Sequence, residues 1–351
     1  MADVARLAGV SPAVVYSFLN GKFYGNGKGG SIGIAETTQA RIVQAMDKLG
    51  FVPEDPASRV RAKRKLGGFL MMLSDSIADG VANPYFSRIF QGFSSEGSNE
   101  GRGVSLATFH REVDYVETPK ALPMGIRQGL INKVLLAGDV NYSLIFALKR
   151  EGCAVVYASR NLGAPDVPGV VPDYRKAADL AIRHLSELGH RRIALAAALH
   201  VHPQATFFKE LTAGCAETWQ ALGHPEPPPQ FVFPSHDRPD AGHYLDVLRK
   251  AVPGMTAIFC FDDFVAISLI NAADNQGLSV PRDLSVIGCN DEARPFMQIP
   301  LTTIRIPKME LGRKAAALLD AAIERGPSNP PQSLVLPVEI RIRKTTAPLQ
   351  S

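Results

Sequence analysis

From Leu66 onward the chain alternates short apolar runs with helical stretches, and this alternation is its strongest constraint on fold. GGFLMMLSD, GVSLATF, KVLLAGD, CAVVYASR, RIALAAAL, AIFCFDD and LSVIGCND are apolar runs that end in polar or small residues. Stretches of helical character, such as PYFSRIFQGFSSEG and YRKAADLAIRHLSELGH, lie between them. Strands alternating with helices imply parallel sheets flanked by helices. The region is long enough for two such units.

In open parallel sheets, ligands bind beyond the carboxyl ends of the strands. The strand-end candidates are therefore Ser74, Asp75, His110, Asp139, Arg160, Asp262, Asp263, Asn290 and Asp291. A site for a polyol needs carboxylates and amides that take paired hydroxyls, and an aromatic face. Asp262, Asn290 and Arg160 offer the first; Tyr85, Phe86, Phe207 and Phe208 offer the second. For any one of these aspartates, and above all Asp263 and Asp291, capping the next helix is the competing reading. His200 and His202 lie in one loop with no third metal ligand in sight, so no metal site is expected.

The first fifth of the chain has a different character. Residues 1–68 hold ten Lys/Arg against five Asp/Glu, which leaves 28 against 29 for the rest of the chain. Arg59, Arg61, Lys63, Arg64 and Lys65 fall within seven residues. A basic N-terminal module for a polyanion, joined to a near-neutral body, fits this asymmetry; a solvated linker is the plainer alternative. ADVARLAGVSPAVVYSFLNG reads as two short helices with a break. Val4, Leu7 and Ala8 form one apolar face, and Val15, Phe18 and Leu19 another. Gly9 ends the first helix, Ser11 has cap chemistry, and Pro12 suits the first helical position. This is the helix-turn-helix layout, although any small helical hairpin shares the spacing. Its second helix would present Pro12, Ala13, Tyr16, Ser17 and Asn20 outward to the major groove. A third helix is expected over Thr37–Leu49, with Ile42, Val43, Met46 and Leu49 inward and Gly50 as its cap.

Residues 25–30, GNGKGG, match the G-x-G-x-x-G pattern of a dinucleotide cradle. That cradle needs a strand before the glycines and a helix directly after. Here a helix precedes them and SIGIAE follows, so the stretch reads as a loop. Lys22 and Lys28 could still reach DNA phosphates from it. No cofactor is expected. The absence of G-x-S-x-G and of G-x-x-x-x-G-K-[ST] weighs against common hydrolase and nucleotide-dependent enzymes. No apolar run is long enough for a membrane span, and MADVARLAGV lacks secretory character. The four cysteines form no C-x-x-C, which suits reduced thiols in the cytoplasm.

With these residues in view, the sequence resembles the lac repressor (LacI/GalR) family of bacterial transcription regulators. DVARLAGVS, FLNG, TTQARIVQAMDKLGFVP, NPYFSRIFQG, HLSELGHRRIAL, AIFCFDDFVAISLI, GLSVPRDLSVIGCND, LTTIRIP, ELGRKAAALL and LPVEIRIRKTTAP carry the resemblance in order. It implies a small all-α helix-turn-helix headpiece over 1–53 and a hinge helix or linker over 54–65. An α/β two-lobed domain like periplasmic sugar-binding proteins, with two parallel-sheet, Rossmann-like subdomains, would follow. The resemblance divides it into 66–160 plus 292–324 and 161–291 plus 325–351.

The implied function is a sequence-specific DNA-binding regulator, read as a repressor. It would act as a homodimer on a near-palindromic operator, controlled by a small carbohydrate-like effector bound between the lobes. The implied DNA contacts are Ser11, Pro12, Ala13, Tyr16, Ser17, Asn20, Lys22, Lys28, Arg59, Val60 and Arg61. Val60 would wedge into the minor groove. The implied effector contacts are Ser74, Tyr85, Phe86, His110, Asp139, Arg160, Phe207, Asp262 and Asn290. Departures from the family pattern are the long loop from Asn20 to Ile34, small base-reading side chains, Leu211 where Arg is frequent, and Asn290 where Asp is common.

Overall fold

The computed structural model describes residues 2–20, 36–49, 67–77, 79–98, 103–139, 141–160, 162, 167–197, 206–234, 240–292, 300–326 and 331–350. Three helices come first: α1 (Ala2–Ala8), α2 (Pro12–Asn20) and α3 (Glu36–Lys48). Gly9 ends α1 in the left-handed conformation, φ 64°. The Gly9 N–H donates to the Arg6 carbonyl (3.2 Å) and the Val10 N–H to the Ala5 carbonyl (3.0 Å). This bond pair is the Schellman closure of a helix end. Two residues later the Ser11 hydroxyl accepts the Val14 N–H at 3.4 Å and opens α2.

Val4, Ala5, Ala8, Val15, Ile42, Ala45 and Met46 form the core of this small unit. Two expected core residues lie outside it: Leu7 is 51% exposed and Leu49 is 46% exposed. A helix turns by about 100° per residue, so Ala5 and Ala8 fall on one side of Val4 and Leu7 on the other. The alanines allow close approach on their side, and Leu7 is turned to solvent. Lys22, Lys28, Arg59, Val60, Arg61 and the side chains of Ser17, Leu19, Asn20 and Val43 lie outside the described residues, as do the glycine-rich loop, Gly50 and the hinge.

The body contains two six-stranded sheets. Its elements run β1 (Gly68–Ser74), α4 (Pro84–Ser98), β2 (Val104–Phe109), β3 (Ile131–Ala137), α5 (Tyr142–Arg150), β4 (Ala154–Ala158), β5 (Gly169–Pro172), α6 (Tyr174–Glu187), β6 (Ile193–Ala196), α7 (Thr206–Ala221), β7 (Phe231–Val232), α8 (Ala241–Ala251), β8 (Ala257–Cys260), α9 (Asp263–Asn275), β9 (Ser285–Cys289), β10 (Thr302–Arg305), α10 (Lys308–Arg325), β11 (Leu334–Leu336) and β12 (Glu339–Arg341). The first sheet has the order β11-β5-β4-β3-β1-β2 and the second β12-β10-β9-β8-β6-β7. Described pairings are parallel except β10 with β12, which is antiparallel. Central strands are buried on both faces, as continuous apolar runs predict. Lys133 breaks that rule on β3, and its ammonium is neutralised by Asp320 of α10 at 2.9 Å.

β5 and β11 pair in the first sheet, and β10 pairs with β9 in the second. These runs, GVVP, LVL and TTIR, are too short to display a period. Their polar groups are satisfied locally: the Thr302 N–H donates to the Thr345 hydroxyl at 2.9 Å, and Ser333 accepts the Gly169 N–H at 2.9 Å.

By contacts the chain forms two compact units. The first comprises Met1–Gly80, Ser94–Val156 and Ala316–Pro331, and the second Val81–Phe93, Tyr157–Ala315 and Gln332–Ser351. In the second, α4 and α10 approach through glycine: a Cβ on Gly92 would overlap the Met309 carbonyl, and one on Gly312 the Ile89 carbonyl.

Candidate functional sites

The expected recognition face is open. Ser11, Pro12 and Ala13 are exposed and Tyr16 is 54% exposed, whereas Val15 is fully buried. The exposed face therefore starts at the N-terminus of α2, where the small side chains of Ser11 and Ala13 stand clear of the core.

In the first unit, strand ends gather charge. Ser74, at the end of β1, is buried, and its hydroxyl hydrogen-bonds that of Ser76 at 2.8 Å. Asp75 follows, 3.2 Å from His110 Nδ1. Arg111 bridges two carboxylates, with Nε 3.3 Å from Asp75 and an Nη 3.2 Å from Asp139. Burial pushes the Asp75 carboxyl up, but hydrogen bonds from the Arg111 backbone, His110 and the Arg111 side chain outweigh it and hold the group below the usual range. Asn141 fixes the loop that carries His110 and Arg111. Its side-chain amide donates to the carbonyls of His110, Arg111 and Val113, while its oxygen accepts the Leu144 N–H at the start of α5.

In the second unit, strand ends gather rings and an amide–carboxylate pair. Asp262 caps α9 by accepting the Phe264 N–H at 2.7 Å, and its other oxygen accepts from Asn290 Nδ2 at 3.2 Å. Asp262 thus satisfies the capping reading and still faces Asn290. Beside it, Phe207 stacks on Phe261 (centroids 5.0 Å apart, planes at 12°) and lies 5.7 Å from Tyr174. The Arg160 guanidinium stands over Phe207 at 5.9 Å. Tyr85 hydrogen-bonds the Ser159 hydroxyl at 2.7 Å, and Tyr174 donates to the Ser159 carbonyl at 3.2 Å. Burial pushes both phenols up, so they stay neutral. Phe86 packs edge-on against Tyr85, with centroids 5.2 Å apart. Phe208, 2% exposed, belongs to the core instead, ringed by Phe231, Phe233 and Phe261.

Asp263 and Asp291 are structural. Asp263 accepts the Thr303 hydroxyl and the Glu292 N–H, each at 2.6 Å, and burial pushes its carboxyl up to about 7. Asp291 is paired with Arg343 at 2.5 Å. No group of three or more His, Cys, Asp or Glu among the described residues could hold a metal ion. His200 and His202 lie outside the described residues.

Two family profiles match the chain: "Bacterial regulatory proteins, lacI family" over residues 1–54, and "Periplasmic binding protein-like domain" over residues 182–346. The chain carries a lacI-family helix-turn-helix domain and a periplasmic-binding-protein-like domain. It is a DNA-binding transcription regulator with a helix-turn-helix headpiece and a periplasmic-binding-protein-like body. Among curated proteins it is similar to the HTH-type transcriptional regulator MalR of Streptomyces coelicolor (28% identical, covering 99% of this chain and 96% of that one). It is also similar to the HTH-type transcriptional repressor PurR of Photobacterium profundum (26%, covering 90% of each). Among solved structures, the regulator CelR in complex with cellobiose shares the fold at 24% identity and TM-score 0.66, covering 98% of each chain. The lac repressor dimer bound to operator and anti-inducer does so at 22% and 0.63, again covering 98% of each. An Enterococcus faecium LacI-family regulator with bound ribose, at 22% and 0.66, covers 80% of this chain and all of its own.

Against that family background, Leu211 is fully buried in α7 and offers no polar group. Sequence reasoning missed Arg111, Asn141, Ser159, Tyr174, Phe261, Glu292 and Lys308. Tyr174 and Phe261 each adjoin an apolar strand, GVVP and AIFC, and their position at a strand end was the available signal. No helix of the described residues is long and apolar enough to cross a membrane.

Proposed function

We propose that this regulator is a repressor whose operator affinity is set by a small polyhydroxylated effector, held in the second unit by Tyr85, Arg160, Phe207, Asp262 and Asn290. The observation that carries this reading is the Asn290 amide placed 3.2 Å from Asp262 beside the Phe207–Phe261 stack. An amide and a carboxylate at adjacent strand ends can engage neighbouring hydroxyls, and an aromatic face takes the C–H side of a sugar ring. Structural relatives in complex with cellobiose and with bound ribose favour the same ligand class. Leu211 and Asn290 depart from the family's usual residues, so no particular sugar is transferred. Ser74, His110 and Asp139 belong to the first unit and receive no effector role here.

We assign operator contact to Ser11, Pro12, Ala13, Tyr16, Ser17 and Asn20, with Lys22, Lys28, Arg59, Val60 and Arg61 supporting through phosphates and the minor groove. The exposed face of α2 and the operator-bound lac repressor dimer support a homodimer on a near-palindromic site. The proposal places it in the cytoplasm, with its DNA, and gives it no catalytic step. Affinity selection of genomic fragments by the full-length protein tests the DNA assignment. Enrichment of a near-palindromic site, weakened by Tyr16→Ala, is expected. Failure to enrich any site, with or without cell extract, would overturn it.

A further inference from the structure

Asn290 and Asp291 are consecutive non-glycine residues at φ 103° and 56°. Side chains rarely adopt such backbone conformations, and they persist where surrounding contacts enforce them. Asp291 is enforced by Arg343 and by the Thr303 hydroxyl, which accepts its N–H at 3.4 Å. The Asn290 N–H donates to the Ile304 carbonyl at 2.8 Å. The Asn290 carbonyl accepts from the ammonium of Lys308, the first residue of α10.

Lys308 is 8% exposed. A buried ammonium costs free energy unless a counter-charge is close. Glu292 provides one: its side chain is 4% exposed and its carboxylate lies 3.5 Å from Lys308 Nζ. Glu292 Oε1 has no hydrogen-bond partner among the described residues, so this contact is ionic rather than a well-aligned hydrogen bond. The same ammonium sits 5.9 Å from the centroid of the Tyr85 ring.

We propose that Lys308 is a positioning residue of the effector site: by holding the Asn290 carbonyl, with Glu292 as its counter-charge, it keeps Asn290 in the conformation that aims its amide at Asp262. Lys308 itself need touch no effector. The inference rests on the assignment of Asn290 and Asp262 above, and its test is chosen to separate the two.

The test follows the side-chain amide protons of Asn290 in full-length protein carrying ¹⁵N-labelled asparagine, with the signal identified by its loss in Asn290→Ala. Lys308→Met keeps the side-chain stem and removes the donor. Loss of a charge-assisted hydrogen bond should speed exchange of those protons with water by about tenfold or more. Lys308→Arg, which restores a cationic donor, should return the protection. A role in packing alone predicts the opposite order, with Met tolerated and the larger Arg disruptive. If Lys308→Met fails to fold, Glu292→Gln, which keeps the shape and removes the counter-charge, should show the same acceleration to a smaller degree. Unchanged protection in the folded variants would overturn the proposal. Operator release by ribose and by cellobiose is measured alongside. A wild-type protein indifferent to both would remove support for the carbohydrate assignment, while the exchange comparison would still judge Lys308.

Discussion

The two units place similar residue types at their strand ends and put them in opposite environments. In the first, Asp75 and Asp139 are bridged by Arg111, whose side chain is 47% exposed. One guanidinium there offsets part of the charge of two carboxylates, in solvent. In the second, Asp262 meets the amide of Asn290, and six aromatic rings (Tyr174, Phe207, Phe208, Phe231, Phe233 and Phe261) pack nearby. Removal from water strengthens polar contacts and penalises unmatched charge. The difference teaches that a carboxylate at a strand end is not by itself a binding group. What surrounds it decides whether it reads a ligand or neutralises a neighbour.

The largest effect should come from the ring cluster. Phe208→Ala removes a nearly inaccessible ring and should cost about 3–5 kcal/mol of unfolding free energy, measured by urea denaturation. A pH effect should follow in size. Asp263 titrates near 7 in the folded protein, above its ordinary value, so the fold is favoured while the proton is on. That contribution is full below about pH 4 and is lost as pH rises through 7. Between pH 5.5 and 8.5 it amounts to about 2 kcal/mol, and this part of the pH dependence should vanish in Asp263→Asn.

Asn290→Ala should weaken effector binding by roughly tenfold, about 1–2 kcal/mol, with little change in operator affinity when no sugar is present. The smallest effect belongs to the exposed cluster. Arg111→Ala should cost less than about 1 kcal/mol of stability. Its clearer signature is a rise of the Asp75 carboxyl toward the ordinary range, followed by NMR titration. A stability loss as large as that of Phe208→Ala would erase the contrast between the two units.

The parts of this molecule legible in the sequence are those set by local chemistry. Gly9 and Ser11 mark a helix end and a helix start because the left-handed closure and the hydroxyl cap are local events. The long apolar runs reveal the strands, and the strand ends reveal Asp262 and Asn290 as candidates. Periodicity misled at Leu7, because small alanines on the neighbouring arc allowed tighter packing there, and at Leu49, which lies just past the end of α3. The partners of the candidates were not legible. Arg111 adjoins a candidate in sequence, yet its bridging role depends on bringing the ends of β1 and β3 together. Lys308 lies 18 residues beyond Asn290 and meets it only through the packing of α10. Glu292 looks like an ordinary loop carboxylate until its burial is known.

The central claim is that an effector bound at Asn290 and Asp262 controls operator affinity. The most direct measurement is operator binding by fluorescence anisotropy, on the site recovered by genomic selection, for the wild type and Asn290→Ala across a panel of mono- and disaccharides that includes ribose and cellobiose. The account predicts that at least one sugar shifts wild-type affinity, and that the variant needs about ten times more of it for the same shift. An unaltered sugar response in Asn290→Ala, or a wild type that responds to no member of the panel, would contradict it.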